Sequence, residues 1–177
     1  GSPTAIGTNS VTISATGAGG TGTATLTITV IGMGSWPSGL VGWWKLDESA
    51  GTTAADSSGK GNHGTLTGGT WQPSGGYFAG AARFVAYGDM VNCGSGSTLN
   101  TASMTVSFWM KADSLQNANP VEKLPSSTGV GYVLKLRSDG TMWFRVGAEP
   151  GAALDVYGGV NLYAAGTWVH VACTFDS

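Results

Sequence analysis

Apolar and polar positions alternate almost without a break from Val11 to Val30. Val11, Ile13 and Ala15 come first, and Gly17-Ala18-Gly19-Gly20-Thr21-Gly22 then turns the chain. Ala24, Leu26, Ile28 and Val30 follow, set against Thr23, Thr25, Thr27 and Thr29. A period of two puts all the apolar side chains on one face, so residues 8–31 are expected to form a β-hairpin. Two strands cannot bury their own faces, and this pair needs a partner. The breakers Gly-Met-Gly-Ser-Trp-Pro-Ser-Gly end the pattern at residues 32–39. From Leu40 onward short apolar-alternating runs are separated by Gly, Ser and Asp. They predict strands at 40–46, 64–67, 82–87, 89–93, 103–111, 131–137, 141–147, 153–157 and 167–175. Many short strands at this spacing argue for an all-β chain folded as a sandwich of two antiparallel sheets.

Parity is most informative around the turn Ser138-Asp139-Gly140. Leu134, Leu136, Met142, Phe144 and Val146 fall on one face and form the expected buried set. Lys135, Arg137, Trp143 and Arg145 then share the opposite face. A large aromatic among three cations, in a chain with eight Lys and Arg in all, makes this face the candidate ligand platform. Trp143 would stack on a sugar ring while Lys135, Arg137 and Arg145 donate to hydroxyls or to a uronate or sulfate group. The competing reading has Trp143 packed beneath its neighbours with the cationic stems covering it. Tyr157 and Tyr163, in the Gly-rich stretch before Gly166-Thr167-Trp168, are weaker candidates for a rim of the platform, and Tyr87 could equally contribute.

Composition narrows the class. Apolar residues make up 41%, enough for a core, but charged residues only 10%, so Thr, Ser, Asn and the 30 glycines must carry solubility. This is the balance of an extracellular β module rather than of a helical or cytosolic protein. The net charge of −2 offers no electrostatic footprint for nucleic acid. No apolar run is long enough for membrane insertion as a helix. Cys93 and Cys173 lie in strand-like runs and are read either as two small buried side chains or as a bridge between adjacent strands. His170, at strand parity between Trp168 and Ala172, is expected to be structural. In the loop 47–63, Asp47, Asp56 and Asn62 could offer oxygen ligands to a structural Ca²⁺, or Asp56, Ser57, Ser58 and Asn62 simply make Asx-type turns.

Two segments carry resemblances. "VTISATGAGGTGTATLTITV" resembles the last two strands of bacterial immunoglobulin-like domains. "GLVGWWKLDESAGTTAADSSGKGNHGTLTGGTW" resembles the opening of laminin-G-like, concanavalin A-like jelly-roll domains, with a strand ending in Trp-x-x-x-Asp-Glu followed by an Asp-Ser-Ser-Gly-x-Gly-Asn-His-Gly loop. "GAARF" at 80–84, "SMTVSFWMK" at 103–111, "GYVLKLRSDGTMWFRV" at 131–146 and "GTWVHVACTFD" at 166–176 continue the match in order. The resemblance implies a jelly-roll sandwich over 40–177, a linker at 33–39 and an immunoglobulin-like hairpin over 1–32. It implies core roles for Trp44, Trp109 and Trp168, and Trp71 is read as a pin for its glycine-rich loop. Relatives of this kind continue past the Phe-Asp turn. The roll is therefore expected to be short of its C-terminal strands, with an open edge that pairs with the N-terminal hairpin or with another chain. Laminarinase-like enzymes of this fold carry Glu-x-Asp-x-x-Glu on one strand; Glu48, Glu122 and Glu149 stand outside any such pattern. The implied function is a non-catalytic, lectin-like module of a secreted or cell-surface protein that binds a polysaccharide or other glycan. The alternative is a protein-binding or structural spacer of a surface adhesin.

Overall fold

The computed structural model describes residues 7–17, 20–30, 38–123, 131–149 and 152–176, with side chains placed for 38–123, 131–147 and 153–176. The tip of the first turn (18–19) and most of the 33–39 linker lie outside the described residues. Strands β1 (Gly7–Gly17) and β2 (Gly20–Val30) form the expected hairpin. Their register sets Val11 opposite Leu26 and Ile13 opposite Ala24, with Thr12 opposite Thr25 and Ser10 opposite Thr27.

The described residues from Ser38 onward form antiparallel β-structure with one short 3₁₀ turn at Ser97–Leu99 and no α-helix. A three-stranded sheet joins β3 (Thr53–Ala54), β4 (Gly64–Thr67) and a later strand, β7. A small ribbon pairs β5 (Thr70–Gln72) with β6 (Ala81–Arg83), and β7 is Met90–Asn92. The body of the fold is two further sheets. One pairs β8 (Met104–Lys111) with β13 (Trp168–Phe175). The other runs in the order β12-β11-β10-β9, with β9 at Ala118–Lys123, β10 at Gly131–Leu136, β11 at Met142–Glu149 and β12 at Ala152–Tyr157.

Strict alternation explains how the two sheets meet. Met104, Val106, Phe108 and Met110 turn inward from β8, while Thr105, Ser107, Trp109 and Lys111 turn outward. From β13, Val169, Val171, Cys173 and Phe175 point into the same core. They meet Leu134, Leu136, Met142, Phe144 and Val146 from β10 and β11, the set that parity alone selected. The core is thus the layer between two facing antiparallel sheets, as a β-sandwich requires. It is covered unevenly. Leu154 and Val156 pair with Val146 and Phe144 and so share their core-facing side, yet they are 63% and 64% exposed. Among the described residues nothing buries that flank of β12.

Local chemistry fixes the platform hairpin. Gly140 has φ +80°, a left-handed conformation that side chains rarely adopt, which is what calls for glycine at this turn. Its N–H donates to the Arg137 carbonyl at 3.0 Å. Asp139 accepts from the Thr141 N–H and hydroxyl, closing the turn from the side. Tyr163 is a correction. Instead of lining a rim it is buried, with its hydroxyl donating to the Arg137 carbonyl at 2.7 Å and a further contact at Gln116. It pins the loop before β13 to the end of β10. The strand expected at 40–46 is also absent: this segment makes only the isolated bridge Trp44–Asp56 and is otherwise tied down by side chains.

Candidate functional site

The outer face of the β10–β11–β12 sheet gathers Lys135, Trp143, Arg145 and Tyr157. Register sets Lys135 opposite Trp143, and Trp143 opposite Tyr157, so the three form one row across three strands. The Trp143 and Tyr157 rings are parallel within 3°, with centroids 5.6 Å apart. The Lys135 ammonium lies 5.0 Å from the Trp143 centroid and the Arg145 guanidinium 4.5 Å, both within cation–π range. Trp143 is therefore half-buried beneath its neighbours, and the open ring is Tyr157, at 66% exposure. Both sequence readings of Trp143 meet here: cationic stems cover it, and it in turn backs an exposed aromatic.

Arg145 is committed to a second partner. Its Nε and Nη2 donate to the two oxygens of Asp155, directly opposite on β12, at 2.7 and 2.8 Å. This bidentate bond holds the Asp155 carboxyl below its usual range and raises the Arg145 guanidinium further. The Trp143 indole N–H is buried without a well-formed hydrogen bond, though it adds a small downward pull on Asp155. Val133, of the same outward parity, is fully buried, so this face is covered at one end and open at the other. Arg137 leaves the ladder at the turn and faces Asp139 at 3.9 Å; it is the one cation of the expected platform that the structure does not bring onto the ring row.

The loop 47–63 is organised around Asp56, which is 8% exposed. One carboxylate oxygen accepts from the Trp43 N–H at 2.9 Å and the Ser58 N–H at 2.8 Å. The other accepts from the Ser58 hydroxyl at 2.8 Å and the Asn62 N–H at 2.9 Å. Burial would raise this carboxyl, but the Ser58, Trp43 and Asn62 donors outweigh it and hold its pKa at about 2. The Asn62 amide is likewise occupied, donating to the Val41 carbonyl at 2.7 Å and the Thr98 hydroxyl at 2.8 Å. Asp47 serves elsewhere, accepting from the Gly80 N–H at 3.0 Å. No group of three or more His, Cys, Asp and Glu side chains suited to a metal occurs among the described residues. A carboxylate already saturated by four protein donors does not fit a Ca²⁺ ion, which would need those lone pairs. As it stands, Asp56 is the centre of an Asx-type turn.

A second aromatic group was missed from sequence. Trp109, expected in the core, lies on the outer face of β8 and is 37% exposed. Tyr77, from the loop between β5 and β6, stacks on it at 3.6 Å and 6°, with Phe78 edge-on at 6.0 Å. Trp168 and His170 adjoin it, and His170 shares a hydrogen bond with the Ser107 hydroxyl at 3.1 Å. The signal was available, because Trp109 has the parity of Thr105, Ser107 and Lys111. Tyr77 lies flat on Trp109 while Phe78 stays open to solvent, so the stack reads as a clamp holding the 73–80 loop onto the sheet. Trp71 pins its own loop as expected, donating to the Gly51 carbonyl at 2.8 Å. Cys93 and Cys173 are free thiols. Burial, helped by the negative Asp56, pushes Cys93 up to about 11, and burial raises Cys173.

Most described carboxylates accept hydrogen bonds or face a cation, whereas Glu48 accepts from the Ala55 N–H through Oε1 at 2.8 Å and leaves its buried Oε2 without a partner. A shallow groove beside Leu40, Met104 and Phe175 holds a single acidic residue, Asp176, and so lacks the carboxylate pair that glycoside hydrolysis demands. No helix among the described residues is long and apolar enough to cross a membrane.

Compared with known proteins, residues 85–177, just over half of the chain, match a family described as the concanavalin A-like lectin/glucanases superfamily. The match takes in both sheets of the sandwich and the whole ring row; the opening motif at 39–71 falls outside it. No curated protein and no solved structure matches the chain.

Proposed function

The chain belongs to the concanavalin A-like lectin/glucanases superfamily, and on that footing we propose that it is a non-catalytic carbohydrate-binding module acting outside the cell. One observation carries the reading: the row Lys135–Trp143–Tyr157 presents an exposed aromatic ring, backed by a parallel one, on the outside of the larger sheet. The apolar face of a pyranose lies flat on such a ring, and neighbouring polar groups fix its hydroxyls. Tyr157 makes the stack, Trp143 holds Tyr157 in plane, and the Arg145–Asp155 pair fixes Trp143 from the side. A single stacked sugar gives weak affinity. A module of this kind therefore works by keeping whatever it is joined to close to a polymer, raising the local concentration.

Affinity electrophoresis in gels containing soluble polysaccharides tests this. The wild-type chain should be retarded by at least one polymer, and Tyr157→Ala should weaken that binding about 5–10-fold, the worth of one aromatic stack. Tyr87→Ala should change nothing, since Tyr87 is fully exposed and makes no ring contact among the described residues. A protein-binding spacer is the second reading, favoured by the exposed Phe78, Phe84 and Val85 away from the ring row in sequence. It predicts no retardation by any polysaccharide.

A further inference from the structure

Charge bookkeeping along the ring row narrows the ligand. Arg145 is neutralised by its bidentate bond to Asp155, and its guanidinium lies against Trp143, leaving little of it for a ligand. Arg137 sits off the row beside Asp139. Lys135 is different. Among the described residues no carboxylate lies within ion-pair distance of its ammonium, and the stem is half-buried along Trp143. Asp155 feels Lys135 at longer range but is already bonded to Arg145, so two cations share one carboxylate and the row joins one open aromatic ring to a net positive charge. Lys135 and Tyr157 are two inter-strand steps apart, about 10 Å, or about two sugar units. A glycan lying across the strands meets the ring with one unit and the ammonium with another.

We infer that the glycan bound by the Lys135–Trp143–Tyr157 row is acidic, a polymer carrying one carboxylate per sugar, with Lys135 as the group that selects it. This rests on the sugar-stacking reading above. A neutral sugar laid over the row covers the ammonium without adding a counter-charge, whereas a uronate supplies one as a charge-assisted hydrogen bond. A densely sulfated chain is a poorer complement, because one ammonium cannot balance several sulfates on adjoining units and Arg145 is already occupied.

The test compares binding of the full chain to polygalacturonate and to its fully methyl-esterified form, which has the same backbone without the charge. Wild type should favour the acid form about 3–5-fold at low salt, the span of a partly exposed ion pair, and the preference should shrink as salt rises. Lys135→Gln should abolish the preference while retaining binding to the ester, and Lys135→Arg should restore it. Tyr157→Ala should weaken binding to both forms. Equal wild-type affinity for the two polymers, or a preference that survives Lys135→Gln, overturns the inference and leaves the stacking reading intact. Failure to bind either polymer overturns the acidic-glycan assignment, and if neutral polysaccharides also fail, the stacking reading falls with it.

Discussion

Replacing Asp56 with alanine is expected to destabilise the fold by about 3–4 kcal/mol, because it strands several donors that the carboxylate now satisfies. The Trp43, Ser58 and Asn62 N–H groups and the Ser58 hydroxyl all end on this one side chain, which is nearly buried. Hydrogen bonds to a charged acceptor are worth more than neutral ones, and part of the loss is recovered as water reaches the exposed end of the loop. At about 2–4 °C per kcal/mol for a chain of this size, the melting midpoint should fall by roughly 10 °C. The same site gives a signed pH dependence. Its folded pKa of about 2 lies below the 3.8 of the free group, so folding favours the ionised form. The contribution, of order 2 kcal/mol, is fully present above pH 4 and is lost as pH falls towards 2. Asp56→Asn should flatten the stability profile in that window. Chelator should leave the wild-type midpoint unchanged, since the donors that hold the loop are protein groups. A midpoint lowered by chelator, or an alanine variant as stable as wild type, would show the loop to be held another way.

Phe144→Ala should cost about 3–5 kcal/mol, a large share of the roughly 5–15 kcal/mol that holds a domain of this kind together. Phe144 stands in the middle of β11, packed with Leu134, Leu136, Met142, Val146 and Val171 in the layer between the two sheets. β10 and β11 are hydrogen-bonded on both sides and cannot close over the void. Phe84, by contrast, is nearly half exposed, and Phe84→Ala should cost no more than about 1 kcal/mol. Denaturant melts of the two variants check the pair. Similar losses for both would mean that the inner layer is not where the stabilising burial lies.

Much of this was legible from residue order because strand side chains alternate with a period of two. Parity in 131–147 named the buried set and placed Lys135, Trp143 and Arg145 together outside, and the strand expected at 64–67 is β4 itself. What failed to show did so for physical reasons. In β9, Asn119 and Pro120 read as breakers; Pro is tolerated there because β9 is an edge strand. The apolar run at 40–46 looked like a strand, but Trp43 gives its N–H to Asp56 and Leu46 takes a positive φ of 58°, so no ladder forms. Trp109 was assigned to the core by analogy when its own parity said otherwise. The partnerships of Tyr157 with Trp143 and of Asp155 with Arg145 depend on the β11–β12 register, which includes a bulge between Gly147 and Glu149. No pattern within a single strand carries that information.

The central claim is that the exposed end of the ring row is where a glycan lies. The most direct measurement follows the aromatic side-chain NMR signals of the full chain during titration with acidic and neutral oligosaccharides. Saturable shifts at the Tyr157 and Trp143 rings, with Tyr77, Phe78 and Trp109 unmoved, are the predicted result. Shifts centred on Trp109 and Tyr77, or a silent Tyr157 at saturation, would contradict it.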